Sequence, residues 1–147
     1  IRAGISVNRD LKKIVMPMDS TMETRQKVPM TCSLARMFDA EVHILAMYTT
    51  NVQNVRSTVL SYSKQAAKYM KERDVRHFIV ELEADNLATS VMDYARESEA
   101  NMISIMTEQE KSTSNLWLGP YAQQMVHHSP IPVLSIHAAE INISLGY

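Results

Sequence analysis

Residues 12–21, KKIVMPMDST, decide the fold of this chain. Residues 14–16 form a short apolar run, Pro17 ends it, and Asp19 opens a polar turn before a long helical pattern. A run that is apolar on both faces is typical of a strand covered on both sides, as in a parallel sheet. The place where such a strand gives way to a helix is also where α/β proteins bind ligands. We therefore expect a central strand with Asp19 at the carboxyl edge of the sheet.

The composition indicates one ordinary globular domain. The chain has 147 residues, 46% of them hydrophobic, and a net charge of -1, so it can build a core and is not expected to be disordered. The absence of a basic block argues against nucleic-acid binding, and no apolar run approaches the ~20 residues of a membrane helix. The single Cys32 fits a reducing, cytoplasmic location. Because the first residue is Ile1, we expect a processed chain or a piece of a longer one.

Four more apolar runs follow the first and alternate with helical patterns. The further predicted strands cover residues 41–47, 76–83, 102–106 and 131–136. The predicted helices cover residues 21–38, 54–73, 87–98 and 119–128. This alternation predicts an α/β domain with a mostly parallel sheet and right-handed crossovers.

Two local features add to this outline. Pro29 lies inside the first helical pattern, so we expect a kink or a restart of the helix within one turn of it. Residues 141–145 alternate apolar and polar side chains after the last strand. That alternation predicts a sixth short strand, or, with residues 131–136, a surface for self-association.

Three motifs, in this order of elements, resemble the universal stress protein family. The first is Lys13 to Asp19, a strand that ends in Pro-x-Asp, and the second is AEVHIL at residues 40–45. The third and most specific is LGPYAQQMV at residues 118–126, with SPIPVL at 129–134. The resemblance spans residues 12–137.

The resemblance implies a fold and a division of the chain. The fold is a three-layer α/β sandwich with a five-stranded parallel sheet in the order 3-2-1-4-5, like that of adenine nucleotide alpha hydrolases. Its binding site lies where strands one and four diverge. Residues 12–137 then form the domain, residues 1–11 an N-terminal extension or linker, and residues 138–147 a C-terminal tail.

The family resemblance also implies candidate binding residues. Many members bind ATP through a loop of the form Gly-x2-Gly-x9-Gly-Ser/Thr after strand four, and only its third glycine is present here. Ungapped counting places Met106 and Gln109 where the first two glycines belong, and a one-residue gap makes the first Thr107. The family's adenine contact falls on a second-strand methionine and its carboxylate contact on the Pro-x-Asp motif. The candidate nucleotide-binding residues are Pro17, Asp19, Met47, Met106, Thr107 and Gly119.

The loop departs from the family pattern in ways that weaken a phosphate site. Glycines let backbone N–H groups converge on phosphate through positive φ angles, which Gln109 does poorly. Glu108 and Glu110 add negative charge, and Pro120 replaces a Ser/Thr and has no N–H. Each lost donor to a charged group costs about 1.5–3 kcal/mol, or about tenfold or more in affinity. We therefore expect a degenerate site that does not bind ATP in the family's usual way. The main expectation is that the protein has no cofactor. The alternative is that it binds ATP or AMP.

Several of these residues have a plainer interpretation. Asp19 is suited to capping the first helix, and Met47 and Met106 suit the core. The polar loop at residues 107–115 can be a simple solvated connection, and Cys32 an inert core thiol. The adjacent histidines at 127–128 point to different sides of a helix, so no metal site is expected.

The sequence lacks a Gly-x-Ser-x-Gly elbow, a P-loop and a Cys-x2-Cys pair, which are common catalytic motifs. We expect a non-enzymatic, stress-related regulatory domain, with weak ATP hydrolysis as a minor alternative. It is expected to form a homodimer or to be one half of a tandem pair. Two other interpretations stay open: a nucleotide-binding member that uses Lys111 to Ser114 as a rewritten phosphate loop, and a cytosolic module of a tandem or transporter-fused protein.

Overall fold

The computed structural model describes residues 11–107 and 120–137. The predicted sixth strand at 141–145, the candidate Gly119 and the loop residues Gln109 and Lys111 to Ser114 lie outside the described residues. What was expected of them stays a prediction.

Strands and helices alternate along the described chain. The strands are β1 (Lys13–Met18), β2 (Glu41–Tyr48), β3 (His77–Glu83), β4 (Met102–Thr107) and β5 (Val133–His137). The α-helices are α1 (Val28–Phe38), α2 (Gln53–Glu72), α3 (Leu87–Glu97) and α4 (Pro120–His128). A 3-10 helix, Met22–Lys27, precedes α1. The last strand begins two residues later than predicted, because Pro130 and Pro132 hold the chain in an irregular approach.

The five strands form one parallel sheet in the order β3-β2-β1-β4-β5, as the resemblance implied. Ile14 and Met16 pack with α1 and α2 on one face, and Val15 packs with α3 and α4 on the other. Ile14 and Val15 are fully buried, which confirms that β1 is the central strand. The molecule is the expected three-layer sandwich.

The chain passes from helix to strand by the same device three times. Asp39, Asp74 and Glu99, which follow α1, α2 and α3, each have a φ between 54° and 58°. In this left-handed conformation the next residue's N–H folds back onto the helix, as Ala40 N does onto Ala35 O at 2.8 Å. Each connection therefore starts the next strand at the same edge of the sheet, and all carboxyl ends lie at the opposite edge.

Pro29 separates two kinds of helix. The 3-10 helix ends at Lys27 and α1 begins at Val28, so Pro29 occupies the second position of α1, where an N–H is not needed. An α-helix continued backward from Pro29 would place its ring against the carbonyl of the preceding turn. The predicted break is confirmed, but the segment before it is a 3-10 helix and not the α-helix expected from residue 21.

Pro17 lies where β1 and β4 part. β1 pairs with β2 from Lys13 to Met18, whereas its pairing with β4 covers Ile14 and Val15. Lys13 O accepts from Asn101 N beside β4. Because backbone groups of a strand alternate between its two neighbours, the backbone of Pro17 also faces β4, where it has no N–H to donate. The two strands therefore separate toward their carboxyl ends, at the point where the strand order reverses.

Candidate functional site

Asp19 lies in the turn that follows β1 and is half-buried. Its Oδ1 accepts hydrogen bonds from Thr21 N at 2.9 Å and from Thr21 Oγ1 at 2.6 Å. The 3-10 helix begins after Thr21 and has no side-chain cap, so Asp19 does not cap it as expected. Its carboxylate instead closes a polar turn at the carboxyl edge of the sheet.

The structure brings some of the candidate residues to one edge. Pro17 and Asp19 lie at the end of β1, and Met106 and Thr107 lie at the end of β4, the next strand in the sheet. Met47 is 2% exposed in β2 and packs with the α3 and α4 layer, so it belongs to the core.

Thr107 is engaged elsewhere. Its hydroxyl lies 3.5 Å from Ile136 O and 3.4 Å from His137 Nδ1, both in β5. The side chain therefore points along the sheet toward β5, away from the split with β1.

A buried polar cluster lies against β4 and beside the residue that follows β1, and the sequence did not predict it. We call it the switch-point cluster. It consists of Thr24, Lys27, Thr31 and Ser104. All four side chains are buried, and the 3-10 helix that supplies the first two packs against β4.

Hydroxyl groups tie α1 to β4 within the cluster. Thr31 Oγ1 donates to Lys27 O at 2.7 Å. Because a hydroxyl has one proton, Ser104 Oγ must be the donor in its 2.7 Å bond to Thr31 Oγ1. Both residues are 0% exposed, so bulk water does not reach either bond.

Lys27 is the unusual member of the cluster. Its side chain is 2% exposed, and its Nζ donates to Thr24 Oγ1 at 2.7 Å. Thr24 Oγ1 also accepts from Asp19 N at 3.2 Å, so the ammonium lies close to the end of β1. Burial lowers the pKa of Lys27 to about 8, although the Asp19 carboxylate acts in the opposite direction. At neutral pH the group is therefore a buried cation.

Tyr121, in the first turn of α4, faces the same edge. Burial, and to a smaller extent the Asp19 carboxylate, raise the pKa of its hydroxyl. The Tyr121 hydroxyl therefore stays neutral at physiological pH and adds no charge near Asp19.

The hydroxyl pair of the cluster makes a testable contribution to stability. Thr31→Val leaves the buried Ser104 hydroxyl without a partner, so we expect a loss of about 1–3 kcal/mol in the free energy of unfolding. Adding Ser104→Ala removes the stranded group, and we expect the double variant to recover most of that loss. Urea denaturation of the two single variants and the double variant measures the coupling.

Thr58→Val is the control for that experiment. Thr58 Oγ1 makes the same bond to a carbonyl four residues earlier, to Asn54 O at 2.9 Å, but in a solvent-accessible place on α2. Its loss is expected to be below ~1 kcal/mol. A Thr31→Val effect no larger than this, or single effects that simply add, would show that the buried pair is not coupled.

A signal for the cluster was present in the sequence. Thr24 and Thr31 are seven residues apart, in line with the buried face that includes Val28 and Ala35. Two hydroxyls on an otherwise apolar face indicate a polar partner on the sheet, which is Ser104. Lys27 lies on the same face, three residues after Thr24 and four before Thr31, but a lysine is rarely expected to be fully buried.

Two features are absent from the part of the chain that the structure describes: a group of metal ligands and a membrane-spanning helix. Within residues 11–107 and 120–137, no three His, Cys, Asp or Glu side chains are grouped to hold a metal ion. None of the helices in these two segments has the length and apolar character needed to cross a membrane.

Solved structures share this architecture at low sequence identity. A universal stress protein in complex with cAMP has a TM-score of 0.70 and 14% identity, over 88% of this chain and 99% of that chain. One from Archaeoglobus fulgidus in complex with dAMP has a TM-score of 0.67 and 14% identity, over 86% and 97%. A Pseudomonas aeruginosa protein given the same family name has a TM-score of 0.73 and 14% identity, over 92% of this chain but 46% of that chain. These likenesses show the fold.

Sequence comparison shows the family. Among curated proteins, none matches this chain. A sequence model of the universal stress protein family matches residues 10–137, which include every strand and helix described above. The chain therefore belongs to the universal stress protein family.

Proposed function

We propose that the chain is a stress-response regulatory domain whose site binds an adenine nucleoside or its monophosphate better than ATP. The site lies at the split between β1 and β4. Universal stress proteins are in general nucleotide-binding proteins and not enzymes. Two of the solved relatives are complexes with cAMP and dAMP, which are both monophosphates, and this supports a monophosphate-sized ligand.

The observation that carries the proposal is the first residue of α4. The start of a helix binds anions through N–H groups that have no partner within the helix. Here α4 begins at Pro120, which has no N–H to offer. Glu108 and Glu110 in the preceding loop add negative charge. A triphosphate therefore loses more binding affinity than a monophosphate does, and a nucleoside loses least.

Asp19→Asn tests the nucleoside half of the proposal. Asparagine keeps one side-chain oxygen for the turn with Thr21 but removes the negative charge that would accept hydrogen bonds from the ligand. We expect adenosine affinity to fall about tenfold, the usual cost of losing a charged hydrogen bond. Calorimetry with adenosine on both proteins measures the difference.

Asp85→Asn is the matched control, because Asp85 is also an aspartate in a turn after a strand, here β3. It should bind adenosine as the wild type does. Equal adenosine affinities for wild type and Asp19→Asn would show that Asp19 only closes its turn.

The wider organisation of the protein is also a proposal. The domain is residues 12–137, as the resemblance implied. One solved relative is more than twice as long as the part that this chain covers, which favours a tandem arrangement as an alternative to a homodimer. In either case β5 is an edge strand with half-buried Val133, Leu134 and Ile136, so we propose that it forms part of the contact. Monomeric sedimentation at tens of micromolar would argue against the homodimer.

A further inference from the structure

Lys27 has too few partners for a buried cation. Within residues 11–107 and 120–137, its ammonium has three N–H donors and one hydrogen-bond partner, the neutral Thr24 hydroxyl. In the same two segments no carboxylate lies within ion-pair distance of it. Buried lysines are normally paired, or they extend their charged end to water. Among the residues that the structure describes, Lys27 does neither, so with respect to them two of its donors are available for an anion.

The position of this cation coincides with the proposed binding site. Thr24 Oγ1 lies 2.7 Å from Lys27 Nζ and 3.2 Å from Asp19 N, which places the ammonium beside the end of β1. The 3-10 helix that carries it packs against β4, and Thr31 ties the next turn to Ser104 of that strand. The ammonium therefore lies at the split where the two strands part.

The inner face of the 3-10 helix is suited to a ligand. Residues three apart on such a helix lie in line, and Thr24 and Lys27 are the two of its residues that are buried. A helix that only covered the core would bury apolar side chains there. The first bond of this helix, from Thr24 N to Thr21 O, is 3.3 Å long, and 3-10 hydrogen bonds have poorer geometry than α-helical ones.

We propose that the Lys27 ammonium binds the phosphate of a nucleoside monophosphate in this site, in place of the backbone donors that the glycine loop supplies in relatives. This rests on the proposed function. The two unused N–H donors match two phosphate oxygens, and the phosphate takes over from Thr24 as the principal partner of the ammonium. A single cation offsets a larger share of the charge of a monophosphate than of the charge of a triphosphate, so Lys27 also favours AMP over ATP.

Calorimetry with AMP and adenosine on wild type, Lys27→Met and Lys64→Met tests the assignment. Lys64 is exposed on α2 and controls for the loss of one positive charge. We expect Lys27→Met to lower the affinity for AMP about tenfold or more. The affinity for adenosine should stay within about twofold of the wild-type value, because adenosine has no phosphate. Lys27→Arg should retain part of the AMP affinity. Equal AMP affinities for wild type and Lys27→Met, or equal losses of AMP and adenosine, would overturn the proposal.

Inorganic phosphate separates this proposal from the proposed function. If the wild type binds neither AMP nor adenosine, the nucleotide function is wrong, and the anion site is then judged by thermal unfolding in phosphate and in chloride at equal ionic strength. Relative to chloride, phosphate should raise the thermal unfolding midpoints of wild type and Lys64→Met. It should raise the midpoint of Lys27→Met by less. The same phosphate effect in all three proteins would show that Lys27 does not bind the anion.

Discussion

Replacing Lys27 by methionine is expected to make the protein more stable at pH 7. Burial lowers the pKa of this lysine from its usual value to about 8. A shift of that size corresponds to about 3 kcal/mol of unfavourable free energy in the native state at neutral pH. Methionine has a similar length, has no charge to desolvate, and loses one hydrogen bond of about 1 kcal/mol to Thr24. We expect a net gain of about 1–2 kcal/mol, or a few degrees in the unfolding midpoint.

The pH dependence of that gain identifies its cause. Between pH 8 and the lysine pKa of about 10.4 in the unfolded chain, the unfolded state binds more protons at Lys27 than the native state does. The contribution of Lys27 to the free energy of unfolding therefore rises with pH across this window and is constant below it. The advantage of Lys27→Met should shrink accordingly as pH rises from 8 to 10. Taking the difference between the two proteins removes the contributions of the tyrosines, which both contain.

Urea denaturation at pH 7, 8, 9 and 10 measures this difference. Lys64→Met, which removes an exposed charge, should stay within about 0.5 kcal/mol of wild type at every pH. A Lys27→Met protein that is less stable than wild type at pH 7 would mean that the lysine is a structural partner and not a group held in the site for its ligand. The expected outcome is a more stable Lys27→Met protein, because a functional residue can be retained at the expense of stability.

The second large effect is expected from restoring the phosphate loop. Gln109→Gly returns a residue that adopts positive φ freely, and Pro120→Ser returns an N–H donor at the start of α4. Each donor to a charged group contributes about 1.5–3 kcal/mol. We therefore expect the double variant to bind ATP at least about tenfold more tightly than wild type, with a smaller change for AMP.

Charge neutralisation in the same loop serves as the comparison. Glu108→Gln/Glu110→Gln removes two negative charges but adds no backbone donor. If this variant gains ATP affinity and Gln109→Gly/Pro120→Ser does not, repulsion and not the missing donors explains the degenerate site. If neither gains, the length of the loop is the dominant difference from relatives.

The fold could be predicted from the sequence because it depends on repeated, local patterns. The apolar run at 14–16 and its alternation with helical faces predict a parallel sheet, and the Pro-x-Asp ending of that run carries the resemblance that implies the strand order. The break near Pro29 could also be predicted, because proline excludes a continuous helix through that point. What the sequence could not predict was the kind of helix before it, since 3-10 and α-helices share most of their side-chain preferences.

The site was predicted less completely, and the reason is physical. Pro17 and Asp19 are fixed by β1, so their place at the sheet edge followed from the strand. Thr107 seemed equally placed in the sequence, but β4 pairs with β5 up to Thr107, and the Thr107 hydroxyl lies near Ile136 O and His137 Nδ1 of that strand. Lys27 was missed because a lysine is almost never fully buried without a charged partner, so its place on the inner face did not suggest burial. The 3-10 helix that carries it packs against β4, which is far away in sequence.

Calorimetric titration of the wild-type protein with ATP, AMP and adenosine tests the central claim most directly. The three ligands share the nucleoside and differ in their phosphates, so differences among their affinities report on the phosphate part of the site. The account predicts that AMP and adenosine bind and that ATP binds at least about tenfold more weakly than AMP or not at all, since the site has lost backbone donors and keeps one buried cation. ATP binding as tight as that of AMP would contradict it.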